Sequence, residues 1–329
     1  MISKHGASVM FSIALVSLLM TSSTYASAKL RIGWVYAMAN APALIAQEKG
    51  FFNAQGLNVD LRRFNSGPLI IHALEAGDLD MAYIGVPPVY SAYENGLDVK
   101  IVSKVNYGHA ALIVNRQSPI RSLQDLRGKK IASVRRGSGM DILLRGFILK
   151  QKAGLDPDKD VNIVSMPSKM MEASVHRNIV DAAFTWEPYV SIAVLTGHER
   201  VLLDMNELVP RYPWYVLIAT GKICKNRREE LQQVLRANQQ AIEYLNNQRD
   251  ASNLILVREF NLRAIVTATG SEVSPVDIVN NARKRLGWES RFSQGDKAFL
   301  QKLMDYSHQL GFVKKDMPTR ELIDDLAEP

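Results

Sequence analysis

Residues 58–88 read NVDLRRFNSGPLIIHALEAGDLDMAYIGVPP, and the order of elements in this stretch decides the fold. Asn58 to Phe64 predicts a strand. Ser66-Gly67-Pro68 then opens a helix through Ala76, and an early proline suits a helix start because its missing N–H would be unpaired there anyway. Met81 to Gly85 is a short, fully apolar strand, and Pro87 to Asn95 is again helical. Alternation of strand and helix on this scale is the mark of an α/β unit.

The alternation extends in both directions. Upstream, Leu30 to Val35 is a first strand, and Pro42 to Lys49 a helix with Gly50 just past its end. Downstream, Val99 to Val105 and Ala110 to Val114 are strands. A second unit follows the Ser118-Pro119 turn, with a short helix over Ser122 to Leu126 ending near Gly128. The strand Lys130 to Val134 leads into Gly137-Ser138-Gly139 and a helix to about Ala153. Asn162 to Met166, a helix over Ser168 to Arg177, and a strand over Ala182 to Thr185 ending at Trp186-Glu187-Pro188 complete it. Trp214 to Thr220 is β-like, and from Arg228 the pattern is nearly all helical, through Leu322 to Leu326.

This order predicts two α/β lobes. The first holds residues 29–114, the second 115–212, and 213–329 return to the first lobe with the C-terminal helices. The chain is expected to cross near Ala110 to Arg116 and near Arg211 to Tyr215, so that two crossings make a hinge. A cleft between lobes, facing the carboxyl ends of parallel strands, is the usual place for a ligand.

Composition narrows the function. With 47% hydrophobic and 22% charged residues in 329, disorder, a collagen-like repeat and a long coiled coil are excluded. The single cysteine, Cys224, leaves no internal disulfide and no cysteine-based metal cluster. A formal charge of +7 suits an anionic ligand, and no dense Lys/Arg stripe points to nucleic acid. Residues 1–28 read as a secretory signal: Lys4 at the start, an apolar run from Val9 to Met20, and the small-residue cleavage site Ala26-Ser27-Ala28. The apolar run is too short to span a bilayer. Lys29, not cysteine, follows the cleavage site, so no lipid anchor is expected and the product belongs in a periplasm.

Three turns bring backbone amides to where a solute can sit: Ser66-Gly67-Pro68, Gly85-Val86-Pro87 and Gly137-Ser138-Gly139. Helix starts present unpaired N–H groups and a partial positive charge, and glycine allows close approach. Taken singly, Ser66 and Ser138 are explained as helix caps; two such turns from opposite lobes make an anion site. Aromatic residues cluster beside the turns. Trp34 and Trp214 read as core, whereas Tyr36, Trp186 and Tyr215 sit at strand ends or crossings and suit a pocket. His109, near the first crossing, is either a polar contact or a satisfied core residue. Of Arg135 and Arg136 either one faces the cleft while strand alternation turns the other to solvent, or both are solvated; Arg136 is taken as the cleft residue. No G-x-S-x-G, H-E-x-x-H or P-loop motif occurs, and Ile142 stands where a dinucleotide fingerprint needs its third glycine. A non-enzymatic binding protein with no catalytic residue, metal or cofactor is the expectation.

Several short pieces resemble one family. They are Leu30-Arg31-Ile32-Gly33, then Ala46-x-x-Lys49-Gly50-Phe51-Phe52 with Gly56-Leu57, and Ala73-Leu74-x-Ala76-Gly77-x-Leu79-Asp80 after Ser66-Gly67-Pro68. Pro87-Pro88, Ser118-Pro119-Ile120 and Asp125-Leu126-x-Gly128-Lys129-Lys130-Ile131 follow, then Gly137-Ser138, Val180-Asp181-Ala182 and Trp186-Glu187-Pro188-Tyr189. In this order they resemble the periplasmic substrate-binding proteins of ABC importers, sulfonate/nitrate/taurine type. The resemblance implies an α/β, two-lobed type II periplasmic binding protein fold with a central cleft and two hinge crossings, closing on a small anionic or zwitterionic solute. It implies a permease in the inner membrane as partner and a monomeric protein. It adds the turn Tyr36 to Ala39, with Met38, and the Trp186-Glu187 segment to the ligand-lining set. Glu187 either meets the amino group of a zwitterion or holds the following helix. Two departures touch the ligand: Ile84-Gly85-Val86 replaces a threonine-rich turn, and His109 stands where an acidic residue is expected. A pyrimidine or thiamine precursor, an aromatic acid, an aminophosphonate, a sensor role and a pyrimidine-synthase-like enzyme are the alternatives.

Overall fold

The computed structural model describes residues 29–324; the expected secretory signal over residues 1–28, with its expected cleavage site, and the residues after 324 lie outside the described part. Two five-stranded sheets carry the fold. The first contains β1 (Leu30–Val35), β2 (Val59–Phe64), β3 (Met81–Gly85) and β4 (Val99–Lys104). The second contains β5 (Ala110–Asn115), β6 (Lys130–Ser133), β7 (Asn162–Ser165), β8 (Ala182–Trp186) and β9 (Glu199–Asp204); the chain then returns to the first sheet as β10 (Tyr215–Thr220). The spatial orders are β2-β1-β3-β10-β4 and β9-β5-β8-β6-β7. The sheets share one plan. Each takes a single strand delivered from the other lobe, and that strand runs antiparallel to both neighbours: β10 against β3 and β4, β5 against β8 and β9.

Burial follows position in the sheet. β3 lies between two strands and is buried along its whole length, whereas edge strand β2 keeps Asp60, Arg62 and Arg63 at its surface. Parallel strands need crossover helices, and these begin where the strands end. Helices Gly67–Glu75 and Val86–Glu94 follow β2 and β3; the helix starting at Gly139 and helices Ser168–His176 and Tyr189–Thr196 follow β6, β7 and β8. All five helix starts therefore gather at the carboxyl ends of the two sheets, facing the space between the lobes.

The hinge is displaced from its expected place. β5 pairs with β8 along its whole length, so Ala110 to Asn115 already belongs to the second sheet, and a boundary at 114 would cut that strand. The first passage is Val105 to His109. It lies against the second passage: the Val105 N–H donates to Tyr215 O at 3.0 Å, and the Gly108 N–H to Tyr212 O at 2.9 Å. A short strand, Leu286–Trp288, pairs with Asn106–Gly108 and adds a third layer to the joint.

The C-terminal region serves both lobes. Helix Arg228–Asn247 packs on Ala41–Glu48 of the first lobe, and Pro275–Ala282 on Tyr189–Thr196 of the second. Helix Gln294–Gln309 bridges Val86–Glu94 and the segment Leu143–Ala153, with Tyr306 against Phe147 at 5.8 Å between ring centroids. The region is also less helical than its sequence pattern. Leu286–Trp288 and a hairpin of Ile265–Val266 with Glu272–Val273 are strands, and Ile323 bridges Ile101 where the sequence reads as helix. The sequence pattern also passes over β9, whose charged ends hide its apolar centre. Among the described residues no helix is long and apolar enough to cross a membrane.

Candidate ligand cleft

A cavity of about 660 Å³ opens between the carboxyl ends of the two sheets. Its aromatic lining is set by topology. β8 ends at Trp186, the second hinge passage delivers Trp214 and Tyr215, and Tyr36 and Tyr189 stand just after β1 and at a helix start. Tyr215 pairs directly with Gly85, which brings the start of helix Val86–Glu94 to the same wall. Ser66-Gly67, Ser138-Gly139 and Ser168 bring three more helix starts. The two predicted caps divide. Ser138 Oγ accepts the Asp141 N–H at 3.3 Å, so it caps its helix. The Ser66 side chain makes no capping hydrogen bond, which leaves its hydroxyl available to a solute.

The charge on the wall has one sign. Arg63, Arg135 and Lys169 line the cavity, and among the described residues no aspartate or glutamate does. The Arg63 guanidinium lies 4.8 Å from the centroid of the Tyr36 ring and 4.0 Å from a Glu259 carboxylate oxygen. Tyr36 is held by its hydroxyl, which donates to the Glu259 carbonyl at 2.8 Å. Among the described residues Arg135 and Lys169 make no ion pair.

Of the residues expected from sequence, Tyr36, Ser66, Gly67, Gly85, Ser138, Gly139, Trp186 and Tyr215 line this cavity. The others stand away from it. Met38 and Val86 are wholly buried in the first-lobe core; Pro68 is half-buried and Pro87 buried, and neither lines the cavity. The Gly137 N–H is already committed to Asp141 Oδ2 at 3.0 Å, and Arg136 pairs with Asp158 at 3.0 Å, so the cleft-facing arginine is Arg135. Glu187 is wholly buried, accepting from the Ser191 N–H at 3.0 Å and from Arg285 at 3.2 Å. Burial holds its carboxyl above the usual range, and Arg285, which also meets Asp204 at 3.0 Å, counters that. Glu187 therefore ties the second lobe to the C-terminal region.

His109 lies one layer behind the aromatic floor. It is wholly buried, at φ 116°, with ring centroids of Tyr215, Trp214 and Trp186 at 5.7, 5.9 and 6.0 Å. Among the described residues neither ring nitrogen has a hydrogen-bond partner, and burial pushes the imidazole down to about 3, so it is neutral. Sequence reasoning missed Trp214, which reads as core and yet lines the floor, and the whole run Ser165 to Lys169. That run starts at the last residue of β7 and leads into a helix, much as Asn65 to Gly67 leads from β2 into one, so the repeated sheet plan was the signal that could have found it.

Two hinged α/β lobes with a ligand-sized cleft between strand ends define the two-lobed periplasmic binding-protein class. The chain belongs to the NMT1-like family, whose model matches residues 24–257. It is 28% identical over 228 residues to a Bacillus subtilis (strain 168) protein named for aliphatic sulfonate binding, covering 68% of this chain and 67% of that one. It is 28% identical over 177 residues to the taurine-binding periplasmic protein of Escherichia coli (strain K12), about half of each chain at 53% and 52%. The crystal structure of the periplasmic aliphatic sulphonate binding protein SsuA from Escherichia coli superposes with a TM-score of 0.75 over 90% of this chain and 92% of that one, at 24% identity. The family expected from the sequence motifs and the two-lobed fold are thus both found.

Proposed function

We propose that this chain is the periplasmic solute-binding component of an ABC import system, capturing a small organic anion of the sulfonate class and handing it unaltered, as a monomer, to a membrane permease. The observation that carries this reading is the cavity wall, which among the described residues holds three cations, several helix starts and no carboxylate. The names of the relatives, aliphatic sulfonate-binding and taurine-binding, point the same way. The chemistry is capture without reaction. In the open form the amides at Gly67 and Gly139 and the Ser66 hydroxyl face water. An anion that bridges the two lobes takes up those donors as closure removes the water, which satisfies the requirement that a buried charge be fully hydrogen-bonded. The passages at 105–109 and 211–214 are the hinge in this reading. The ligand shifts the hinge only by binding the closed state better than the open one.

Size and sign order the candidate ligands. Nitrate would leave most of a cavity of about 660 Å³ unfilled. A zwitterion such as taurine brings an ammonium to a wall with no carboxylate to receive it. An alkane- or arenesulfonate suits both the cations and the aromatic floor. The test is thermal shift and calorimetry on the chain from Lys29 against alkanesulfonates, benzenesulfonate, taurine, nitrate, phosphonates and pyrimidines. Binding raises the melting temperature by mass action. A shift from sulfonates supports the proposal. A shift from a neutral pyrimidine alone, or chemical turnover of a solute, contradicts it.

A further inference from the structure

The cations of the cleft are divided between the lobes, and the division says more than their number. Arg63 stands at the end of β2 in the first lobe, beside the uncapped Ser66 hydroxyl and the Gly67 helix start. Arg135 follows β6, and Lys169 lies in the helix after β7; both belong to the second lobe, on the side of Gly139. The floor between the two sets is Trp186, Trp214 and Tyr215. From this arrangement we propose that the solute of this cleft is a dianion, two acidic groups held apart by a ring, with one group seated on each lobe. The inference deepens the anion reading above and rests on it.

The argument is one of charge and shape. Arg63, Arg135 and Lys169 are exposed, so each is open to an anionic group, and whatever water closure takes from a cation without giving it a partner is penalised. A monoanion seated at one lobe leaves the cations of the other without an anionic partner. Glu259 already lies 4.0 Å from Arg63, so the first lobe offers a partly offset charge and one anionic group completes it. Arg135 and Lys169 have no ion pair among the described residues, and the surplus is therefore on the second lobe. A second anionic group there removes it. The spacer follows from the floor. Aromatic side chains favour offset stacking or edge contacts with a flat ring. A rigid ring also keeps two acids apart without the ordering cost of a flexible chain. A cavity of about 660 Å³ accommodates a substituted benzene, which a two-carbon sulfonate would leave largely empty.

The probes are 4-sulfobenzoate, benzenesulfonate and butanesulfonate, titrated calorimetrically into the chain from Lys29. The expected result is that 4-sulfobenzoate binds at least about tenfold more tightly than benzenesulfonate, since one charge-assisted hydrogen bond is worth that factor. In the double variant Arg135→Gln/Lys169→Gln the advantage disappears, while benzenesulfonate binding changes by a smaller factor and the melting temperature of the unliganded protein stays near wild type. Equal or tighter binding of benzenesulfonate overturns the dianion inference and leaves the sulfonate reading standing. A dianion advantage that survives in the double variant overturns the seat on the second lobe. If none of the three probes binds, and no anion in the wider screen does, the reading underneath has failed and the inference with it.

Discussion

Gly139 is the position where one added carbon separates closure from folding. It starts a second-lobe helix, and a Cβ built there would lie 3.2 Å from Pro87 Cδ of the first lobe and 3.1 Å from Cζ2 of Trp214 in the hinge region. Those separations are a few tenths of an ångström tighter than comfortable contact, and its backbone is one an alanine accepts. Overpacking of this kind costs about 1–3 kcal/mol in a fixed core. Here the neighbours belong to bodies that can move apart, so Gly139→Ala disfavours the closed state and spares the fold. The expected loss of affinity for a sulfonate that binds wild type is about 5- to 150-fold, with the unliganded melting temperature nearly unchanged. Two glycines serve as controls. At Gly67 the added carbon meets Pro88 at 3.0 Å and Ile84 at 3.3 Å, both in the same lobe, so Gly67→Ala lowers unliganded stability. At Gly85 the nearest atoms, in Trp214 and Tyr215, are at 4.0 Å, and Gly85→Ala changes little. Calorimetry and thermal melts on the three variants decide the matter. Wild-type affinity in Gly139→Ala, or a loss no greater than in Gly67→Ala, would refute the reasoning.

Three further outcomes follow from buried charge. His109 is neutral in the fold, pushed down to about 3 by burial, while the unfolded chain binds its proton near pH 6.5. Stability is therefore full above about pH 6.5 and falls as pH drops, by about 2 kcal/mol at pH 5; denaturant melts of His109→Asn, which tolerates the positive φ, should lack this share of the pH 7 to 5 loss. Glu199 is the opposite case: burial, then the Glu172 carboxylate, raises it to about 7, so the ionised form is disfavoured in the fold. Stability from this group falls as pH rises past about 4.3, and Glu199→Gln should be more stable than wild type at pH 8, by about 1–2 kcal/mol after allowance for partial solvation, with the gain gone at pH 4. Arg285→Met strips the partner from the wholly buried Glu187, and urea melts at pH 7 should show a loss of about 3–5 kcal/mol.

The fold was largely legible because its strands carry their burial in their residues. Met81 to Gly85 is apolar throughout, and such a run is a buried parallel strand wherever helices flank it. β9 was not legible because Glu199 and Asp204 bracket a short apolar centre, and its place depends on pairing with β5 at the far edge of a sheet. The helix starts at Ser66-Gly67 and Ser138-Gly139 were legible as Gly-Ser turns after strands, whereas the one at Ser168, after Met166-Pro167, was not. What failed was the assignment of single side chains. Arg135 and Arg136 lie past the end of β6, in the turn before the Gly139 helix, where strand alternation does not apply, and the position of Asp158 decides that Arg136 is the one drawn away. Trp214 and Tyr215 are adjacent and both mostly buried; that both face the cleft depends on the hinge passage bringing them across to Gly85 and Gly139. Glu187 was ambiguous for the same reason, since its partner Arg285 lies far along the chain.

The most direct measurement is a crystal structure of the chain from Lys29 grown with the tightest-binding sulfonate. It should show the lobes shut and an acidic group of the solute within hydrogen-bond reach of Ser66 and the Gly139 helix start, its atoms intact. A solute bound outside the interlobe space, or one recovered as a different compound, would contradict that.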